Sequence, residues 1–216
     1  MTIVIHGIPG SPYVRMPILA CEEKGVPWEL RALGFGEQTS PEHLKRQPFG
    51  RVPAIEHDGF QLYEAQAILR YIDAAFEGPS LTPADPKAMA RMSQVMNICD
   101  WYVMPSLSAG IGFNRIVAPM LGRPVSEAAV AAAVPLARTS LKALEDILGA
   151  HRYFAGDSVS LADLVAIAHL DLVPASPEGA ELIAGSPLLA WLDRMAERPS
   201  VQKTGMKAMM GLAVAA

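Results

Sequence analysis

The spacing of apolar residues differs between the first eighty residues and the rest of the chain. The first part mixes strand-like and helix-like spacing, and the second shows helix-like spacing only. Short β-branched or alternating runs predict strands, and apolar positions three and four residues apart predict helices. Gly25 ends the first helix, Ser40 caps the second, and Asp58-Gly59 between apolar runs predicts a hairpin turn. In order, the predicted elements are a strand at about 2–6, a helix at 12–24, a strand at 28–33, a short helix at 41–45, strands at 52–56 and 60–63, and a helix at 64–76.

This β-α-β-α-β-β-α order predicts a thioredoxin-like α/β domain over residues 1–78, because one βαβ crossover followed by a hairpin and a helix has that topology. The proline-rich stretch 79–86, which follows Gly78, is expected to be a linker. Residues 87–216 show only helical periodicity, so they are predicted to form an all-α domain. Within it, Ser160 and Asp163 have the spacing of a capping box, which predicts that Asp163 stabilises the fold rather than acting as an acid or base.

Composition and charge make several classes of partner and cofactor unlikely. The 216 residues are 51% hydrophobic and carry a net charge of −4 without a basic tract, so nucleic acid is not an expected partner. Neither a membrane-length apolar run nor a signal peptide is visible. Cys21 and Cys99 form no C-x-x-C pair or disulfide framework, which favours a reducing, cytoplasmic setting. The five histidines show no metal-ligand spacing, so no metal is expected.

The stretch 8–15 carries the main chemical signal. A Pro-Gly turn places the Ser11 hydroxyl at the predicted start of the first helix, where unpaired N–H groups and the helix dipole favour an anion. The stretch resembles a glutaredoxin Cys-Pro-Tyr-Cys turn in which Ser11 and Val14 replace the cysteines. Such a turn keeps its anion site without a sulfur of its own, which suggests that the sulfur arrives as glutathione. Plain helix capping by Ser11 is the competing interpretation of this local motif.

Several separated motifs together resemble the cytosolic glutathione transferases over residues 1–210, most closely the phi-like and bacterial classes. They are the Ser11 turn with Arg15, Ser40-Pro41-Glu42-His43-Leu44, Pro48-Phe49-Gly50-Arg51-Val52-Pro53, Leu62-Tyr63-Glu64-Ala65, the Ser160 and Asp163 box, and the stretches 119–122 and 127–134. The resemblance implies an enzyme that joins the glutathione sulfur to small apolar electrophiles, with peroxidase activity as a side reaction. It also implies a homodimer, with Phe49 as an aromatic key inserted into the partner subunit.

The resemblance further implies which residues bind glutathione. Ser11 stands where the family hydrogen-bonds the glutathione sulfur. The implied contacts to the cysteinyl, γ-glutamyl and glycyl parts are, in turn, Val52 with a cis Pro53, Glu64 with Ala65, and Gln38, Thr39 and Arg51. Ala65 replaces the usual serine, so a protein that binds glutathione or apolar ligands without turnover is the alternative.

The second substrate is expected to contact apolar side chains of the helical domain. The candidates are Met104, Ile111, Phe113 and Met120. A methionine-rich stretch at 206–210 could close over the same substrate, since methionine makes an adaptable apolar wall. The competing interpretation is that these side chains are ordinary packing between helices.

Overall fold

The structure is a computed structural model that describes the backbone of residues 2–215 and the side chains of residues 2–211. The predicted domain limits Met1 and Ala216 lie outside these residues. Contacts divide the chain into two compact units, Met1–Thr82 with Glu197–Ala216, and Pro83–Ala196. Residues 197–215, which the sequence predicts to be part of the helical domain, pack with the first unit in the structure.

The first unit is built on a four-stranded mixed sheet with the order β2-β1-β3-β4. Strand β1 is parallel to β2 and antiparallel to β3, and β3 is antiparallel to β4. This topology confirms the predicted thioredoxin-like arrangement. The strands are β1 Ile3–Gly7, β2 Trp28–Ala32, β3 Ala54–His57 and β4 Phe60–Tyr63; the helices are α1 Pro12–Lys24, α2 Pro41–Leu44 and α3 Ala65–Ala75, with a 3₁₀ turn at Glu37–Thr39.

Local signals explain most of these boundaries. Gly25 adopts the left-handed conformation that ends α1. Ser40 accepts a hydrogen bond from the His43 N–H and caps α2, as predicted. Asp58 and Gly59 have φ of 50° and 80°, the positive values that a two-residue hairpin turn requires. One boundary was wrong: β3 begins two residues later than predicted, because a proline at position 53 has no N–H to give to a sheet ladder.

The second unit is helical throughout its described elements, as predicted. Its long central helix changes from α-helical to the wider π-helical hydrogen bonding at Cys99. The elements are α4 Pro86–Ile98, a π-helical segment Cys99–Val117, α5 Ala118–Met120, α6 Glu127–Leu148, α7 Leu161–Leu170, a 3₁₀ turn at Val173–Ala175, α8 Pro177–Ile183 and α9 Leu188–Ala196. A Cβ on Gly110 would lie 2.4 Å from the Cβ of Ala133, so this glycine lets the π-helical segment approach α6 closely.

The predicted capping box is present at the start of α7, a helix whose residues are all buried. Asp163 Oδ2 accepts hydrogen bonds from the Ser160 N–H at 3.0 Å and from the Ser160 hydroxyl at 2.9 Å. Its Oδ1 accepts two more, from the Phe154 N–H at 3.1 Å and from Trp191 Nε1 at 3.0 Å. The carboxylate therefore joins three parts of the helical unit, which is a larger structural role than a capping box alone.

Two further helices, α10 Pro199–Thr204 and α11 Met206–Ala215, complete the first unit. Helix α10 packs on α1, and α11 contacts β2. Among the described residues, no helix is both long and apolar enough to cross a membrane.

Candidate active site

The connections that carry the predicted glutathione contacts leave the sheet at one end. Strand pairing places Gly7 beside Ala32, His6 beside Ala54, and Ala54 beside Tyr63. The turn after β1, the loop after β2, the loop before β3 and the start of α3 after β4 therefore meet at the same edge. These segments contain Ser11; Gln38 and Thr39; Arg51, Val52 and Pro53; and Glu64 and Ala65. The sheet thus brings together eight residues that are spread over more than fifty positions of sequence.

Ser11 occupies the N-cap position of α1 but does not cap it. Its backbone is extended, with φ of −68° and ψ of 129°, and its carbonyl accepts the N–H groups of Val14 and Arg15. Its side chain makes no capping hydrogen bond. The hydroxyl is half-buried and does not cap the helix, so it stands at the positive end of α1 without bonding the N–H groups of the first turn. The capping interpretation of Ser11 is therefore not supported by the geometry.

The loop before β3 is held by two polar side chains. Gln47 Oε1 accepts the N–H groups of Phe49 at 2.8 Å and Arg51 at 2.9 Å, and His43 Nε2 lies 2.7 Å from the Arg51 carbonyl oxygen. The Val52–Pro53 peptide bond is cis, as the family resemblance implied. Pairing with β1 begins only at Ala54, so the Val52 backbone lies outside the ladder.

Glu64 has an unusual backbone conformation at the start of α3. Its φ is 71° and its ψ is 110°, and a non-glycine residue at positive φ is uncommon. Its carbonyl accepts the Ile68 N–H at 2.9 Å, while its exposed side chain makes no capping bond. Strained residues cluster at ligand-binding positions, which makes the start of α3 a candidate binding position. Ala65, the first residue of α3, is buried.

The loop after β2 uses its polar side chains locally. Gln38 Oε1 accepts the Gly36 N–H at 2.8 Å, and the Thr39 hydroxyl donates to the Gly36 carbonyl at 2.8 Å. Gln38 and Thr39, two of the three residues predicted to contact the glycyl end, therefore shape their own turn. Arg51, the third, has an exposed side chain at the same edge of the sheet.

The protein's own thiols are unsuited to nucleophilic chemistry. Cys21 and Cys99 are both free and buried. Burial, with a smaller contribution from Glu22, raises the pKa of Cys21 to about 12, and burial raises the pKa of Cys99 still further. Neither thiol supplies a thiolate near neutral pH. Among the described residues, no three His, Cys, Asp or Glu side chains group as metal ligands.

The four predicted electrophile contacts differ in exposure within the helical unit. Ile111 is only 1% exposed, which fits interhelical packing, whereas Met120 is 58% exposed. Met104 and Phe113 are half-buried. In the first unit, the structure adds a contact that no local motif indicated, between Gly10 and the methionines of α11.

Comparisons with known proteins agree with this geometry. The model of the glutathione S-transferase N-terminal domain matches residues 5–80, and that of the C-terminal domain matches residues 95–199. Glutathione S-transferase 4 of Zea mays is 31% identical over 203 residues, which cover 93% of this chain and 91% of the relative. Probable glutathione S-transferase GSTF2 of Oryza sativa subsp. japonica is 32% identical, covering 92% of this chain and 94% of the relative.

Solved structures extend the similarity to three dimensions. Glutathione transferase F2 from Populus trichocarpa matches with a TM-score of 0.85 and 27% identity, over 97% of this chain and all of that one. Glutathione S-transferase I, solved with lactoylglutathione, matches with a TM-score of 0.83 and 30% identity, over 96% of this chain and 99% of that one. These plant relatives fit the phi-like resemblance of the motifs. The chain belongs to the glutathione S-transferase family and is a glutathione transferase enzyme.

Proposed function

We propose that the Ser11 hydroxyl stabilises the thiolate of bound glutathione, which then attacks a small apolar electrophile. The observation that carries this proposal is the position of Ser11: it stands at the N-cap of α1, yet its side chain does not cap the helix. A hydroxyl in that position is a hydrogen-bond donor with no local task, at the end of the helix that favours negative charge.

The energy that this role requires is modest. A free thiol with a pKa of about 8.5 is about 3% ionised at pH 7. Lowering that pKa by about two units makes the thiol about three-quarters ionised and requires about 2.7 kcal/mol. A hydrogen bond to a charged group contributes about 1.5–3 kcal/mol, and a helix N-terminus adds about 0.3–1 kcal/mol. Ser11 and α1 together can supply the shift without a general base, so Ser11 acts as a donor and the glutathione sulfur is the nucleophile.

Glutathione is proposed to lie along the edge of the sheet that carries the four connections. The Val52 backbone, which is outside the sheet ladder, pairs with its cysteinyl part beside Pro53. Glu64 pairs with its γ-glutamyl ammonium, and the N–H groups at the start of α3, including that of Ala65, receive the adjoining carboxylate. Arg51 reaches the glycyl carboxylate as an exposed cation, while Gln38 and Thr39 hold the loop that borders it.

The second substrate is proposed to be small and apolar. Met104, Phe113 and Met120 have accessible surface with which to contact it, whereas Ile111 supports them from the interior of its helix bundle. One relative, glutathione S-transferase I from maize, was solved in complex with an atrazine–glutathione conjugate. The relatives are named transferases, so binding without turnover is not the favoured function.

We also propose a homodimer in which Phe49 is the aromatic anchor. Its side chain is 70% exposed, a large fraction for phenylalanine, while its ring meets Tyr63 edge-on with 6.2 Å between the ring centres. Gln47 holds the Phe49 backbone, so the exposed ring is presented from an ordered loop.

The cytoplasmic setting stays a prediction, consistent with two free, buried cysteines.

Two serine variants test the thiolate proposal. In Ser11→Ala, the pKa of the thiol of bound glutathione should rise by one to two units. Thiolate absorbance recorded against pH measures this pKa. Turnover should fall more than glutathione affinity, and the melting temperature should hold, because no cap is lost. Ser126→Ala is the matched control: this serine caps α6 by accepting the Ala129 N–H, so its loss should cost about 1 kcal/mol of stability and leave the thiol pKa unchanged. An unchanged thiol pKa in Ser11→Ala would exclude Ser11 and make Tyr13 the next candidate.

A further inference from the structure

Two buried polar side chains, one in α2 and one in the turn after it, hold the loop that precedes β3. His43 and Gln47 are each only 1% exposed, and polar side chains buried to this degree require hydrogen-bond partners. Both bond the backbone of Arg51. Gln47 Oε1 accepts its N–H at 2.9 Å, and His43 Nε2 lies 2.7 Å from its carbonyl oxygen. Side chains therefore hold the Arg51 backbone at both of its polar groups.

The contact with the Arg51 carbonyl also defines the state of the His43 ring. A carbonyl oxygen only accepts hydrogen bonds, so Nε2 carries the ring proton and donates it. Among the described residues, Nδ1 of the same ring has no hydrogen-bond partner. The bond to Arg51 is therefore the one hydrogen bond that this buried ring makes within the described part of the chain.

Fixing the Arg51 carbonyl also fixes the direction of the following N–H, that of Val52. The two groups belong to one planar peptide unit, and in a trans unit they point in opposite directions. The cis bond of this loop is Val52–Pro53, so the unit between Arg51 and Val52 is trans. The Val52 N–H therefore points away from the His43 ring, and no acceptor among the described residues bonds it.

The segment that carries the two buried side chains is itself held on the first unit. Arg46 Nε, in the turn after α2, donates to Glu56 Oε1 of β3 at 2.9 Å. A Cβ on Gly50 would lie 3.2 Å from Thr39 Cγ2, so the loop before β3 also packs against the turn after β2. The two side chains therefore act on the loop from a segment that is tied to the sheet.

We propose that His43 and Gln47 are positioning residues for glutathione, because they hold Arg51 so that the Val52 N–H meets the carbonyl group of the cysteinyl part. The proposal rests on the proposed function, which assigns the Val52 backbone to that part of glutathione. Without these bonds the peptide unit could rotate, and the ligand would have to order it on binding. Both residues act through the loop backbone, so they set the affinity for glutathione and not the ionisation of its thiol.

Paired variants that remove or keep each hydrogen bond test this role. His43→Phe keeps a ring and removes the donor, whereas His43→Gln keeps an N–H donor near the position of Nε2. Calorimetry with S-methylglutathione, which has no ionisable thiol, should show a dissociation constant raised about tenfold in His43→Phe and largely restored in His43→Gln. Gln47→Met and Gln47→Glu form the same pair for the acceptor, so the test remains available if His43→Phe does not fold.

Kinetics separate positioning from a general loss of packing. The KM for glutathione should rise in the two variants that remove a bond, while kcat at saturating glutathione and the pKa of the bound thiol hold. Ser11→Ala should show the opposite pattern. The matched control is His169→Phe, which replaces another buried histidine, one whose Nδ1 lies 2.7 Å from Ser108 Oγ in the helical unit. This control should leave the affinity for glutathione at the wild-type value.

The Val52 amide gives a readout in the wild-type protein. S-methylglutathione should shift its ¹⁵N–¹H resonance and slow its hydrogen exchange, because the N–H gains an acceptor. A Val52 amide that does not respond although the ligand binds would overturn the proposal, and so would equal affinities in the bond-removing and bond-keeping variants. A wild-type protein that binds neither glutathione nor S-methylglutathione would instead overturn the glutathione site itself.

Discussion

Removing the Asp163 carboxylate should destabilise the helical unit far more than the loss of a helix cap. The side chain is fully buried and accepts four hydrogen bonds, from two backbone N–H groups, the Ser160 hydroxyl and the Trp191 indole. Burial raises the pKa of this carboxyl, while the four donors act in the opposite direction. In Asp163→Ala the hydroxyl can rotate to another partner, but three buried donors are left without an acceptor.

The expected loss in the free energy of unfolding follows from those three unsatisfied donors. Each unsatisfied buried polar group costs about 1–3 kcal/mol, and removing one partner of a buried charged network costs about 3–5 kcal/mol. We therefore expect Asp163→Ala to lose about 3–5 kcal/mol, which corresponds to roughly 10 °C in melting temperature for a chain of this size. Local pattern alone predicts only about 1 kcal/mol, because a capping box counts the contact with Ser160 and not those with Phe154 and Trp191.

Thermal unfolding followed by circular dichroism measures this loss, with conjugating activity recorded per folded molecule. Ser160→Ala should cost only about 1 kcal/mol, since it removes one donor and leaves the carboxylate with three. Asp163→Asn should fall between the two, because its single amide oxygen can still accept from Phe154 and Trp191. Activity below the melting transition should hardly change in any of them. An Asp163→Ala protein that melts within about 1 kcal/mol of the wild type, or that folds but is inactive, would refute the structural role.

Four further substitutions probe the dimer, the glutathione site and the ion pair between Lys24 and Asp73 of the first unit. Phe49→Ala should raise the dimer dissociation constant at least about tenfold, measured by sedimentation over a concentration series, because an exposed aromatic anchor can dominate an interface; a monomeric wild type would end the idea. Glu64→Gln should weaken glutathione binding about tenfold or more through the lost charged pair, and Ala65→Ser should tighten it several-fold by adding a hydroxyl donor, both by calorimetry; unchanged affinity in both would remove the start of α3 from the site. Asp73→Asn should cost about 2–3 kcal/mol at pH 7 in denaturant unfolding, because it leaves the buried Lys24 ammonium without its anion. Burial alone would raise the pKa of Asp73, but hydrogen bonds from Leu81 and Thr82 and the charge of Lys24 bring that pKa below its usual value. This stabilisation is therefore present above the unfolded carboxyl pKa of about 3.9 and disappears as the pH falls through the lower folded value, so the wild type and the variant should converge in strong acid; a difference that is independent of pH would contradict the ion-pair explanation.

Local sequence signals determined the secondary structure of the first unit closely. Pro12 and Gly25 delimit α1 as predicted, and Asp58-Gly59 forms the expected hairpin. Such residues act through their own backbone, by restricting φ or by permitting positive φ, so their effect is visible without knowing the neighbours in space. The same holds for the spacing of Ser160 and Asp163, which predicted the start of α7.

The sequence by itself also placed Ser11 at the start of a helix and, through resemblance, in the glutathione transferase family. Only the tertiary structure decided that its hydroxyl leaves the helix uncapped, that Glu64 is held at positive φ, and that the loops of the site meet at one end of the sheet. It also decided that residues 197–215 pack with the first unit and bring two methionines close to Gly10. These features depend on contacts between residues up to two hundred positions apart, such as the bond from Arg15 to Thr204, and no periodicity or local motif encodes such a pairing.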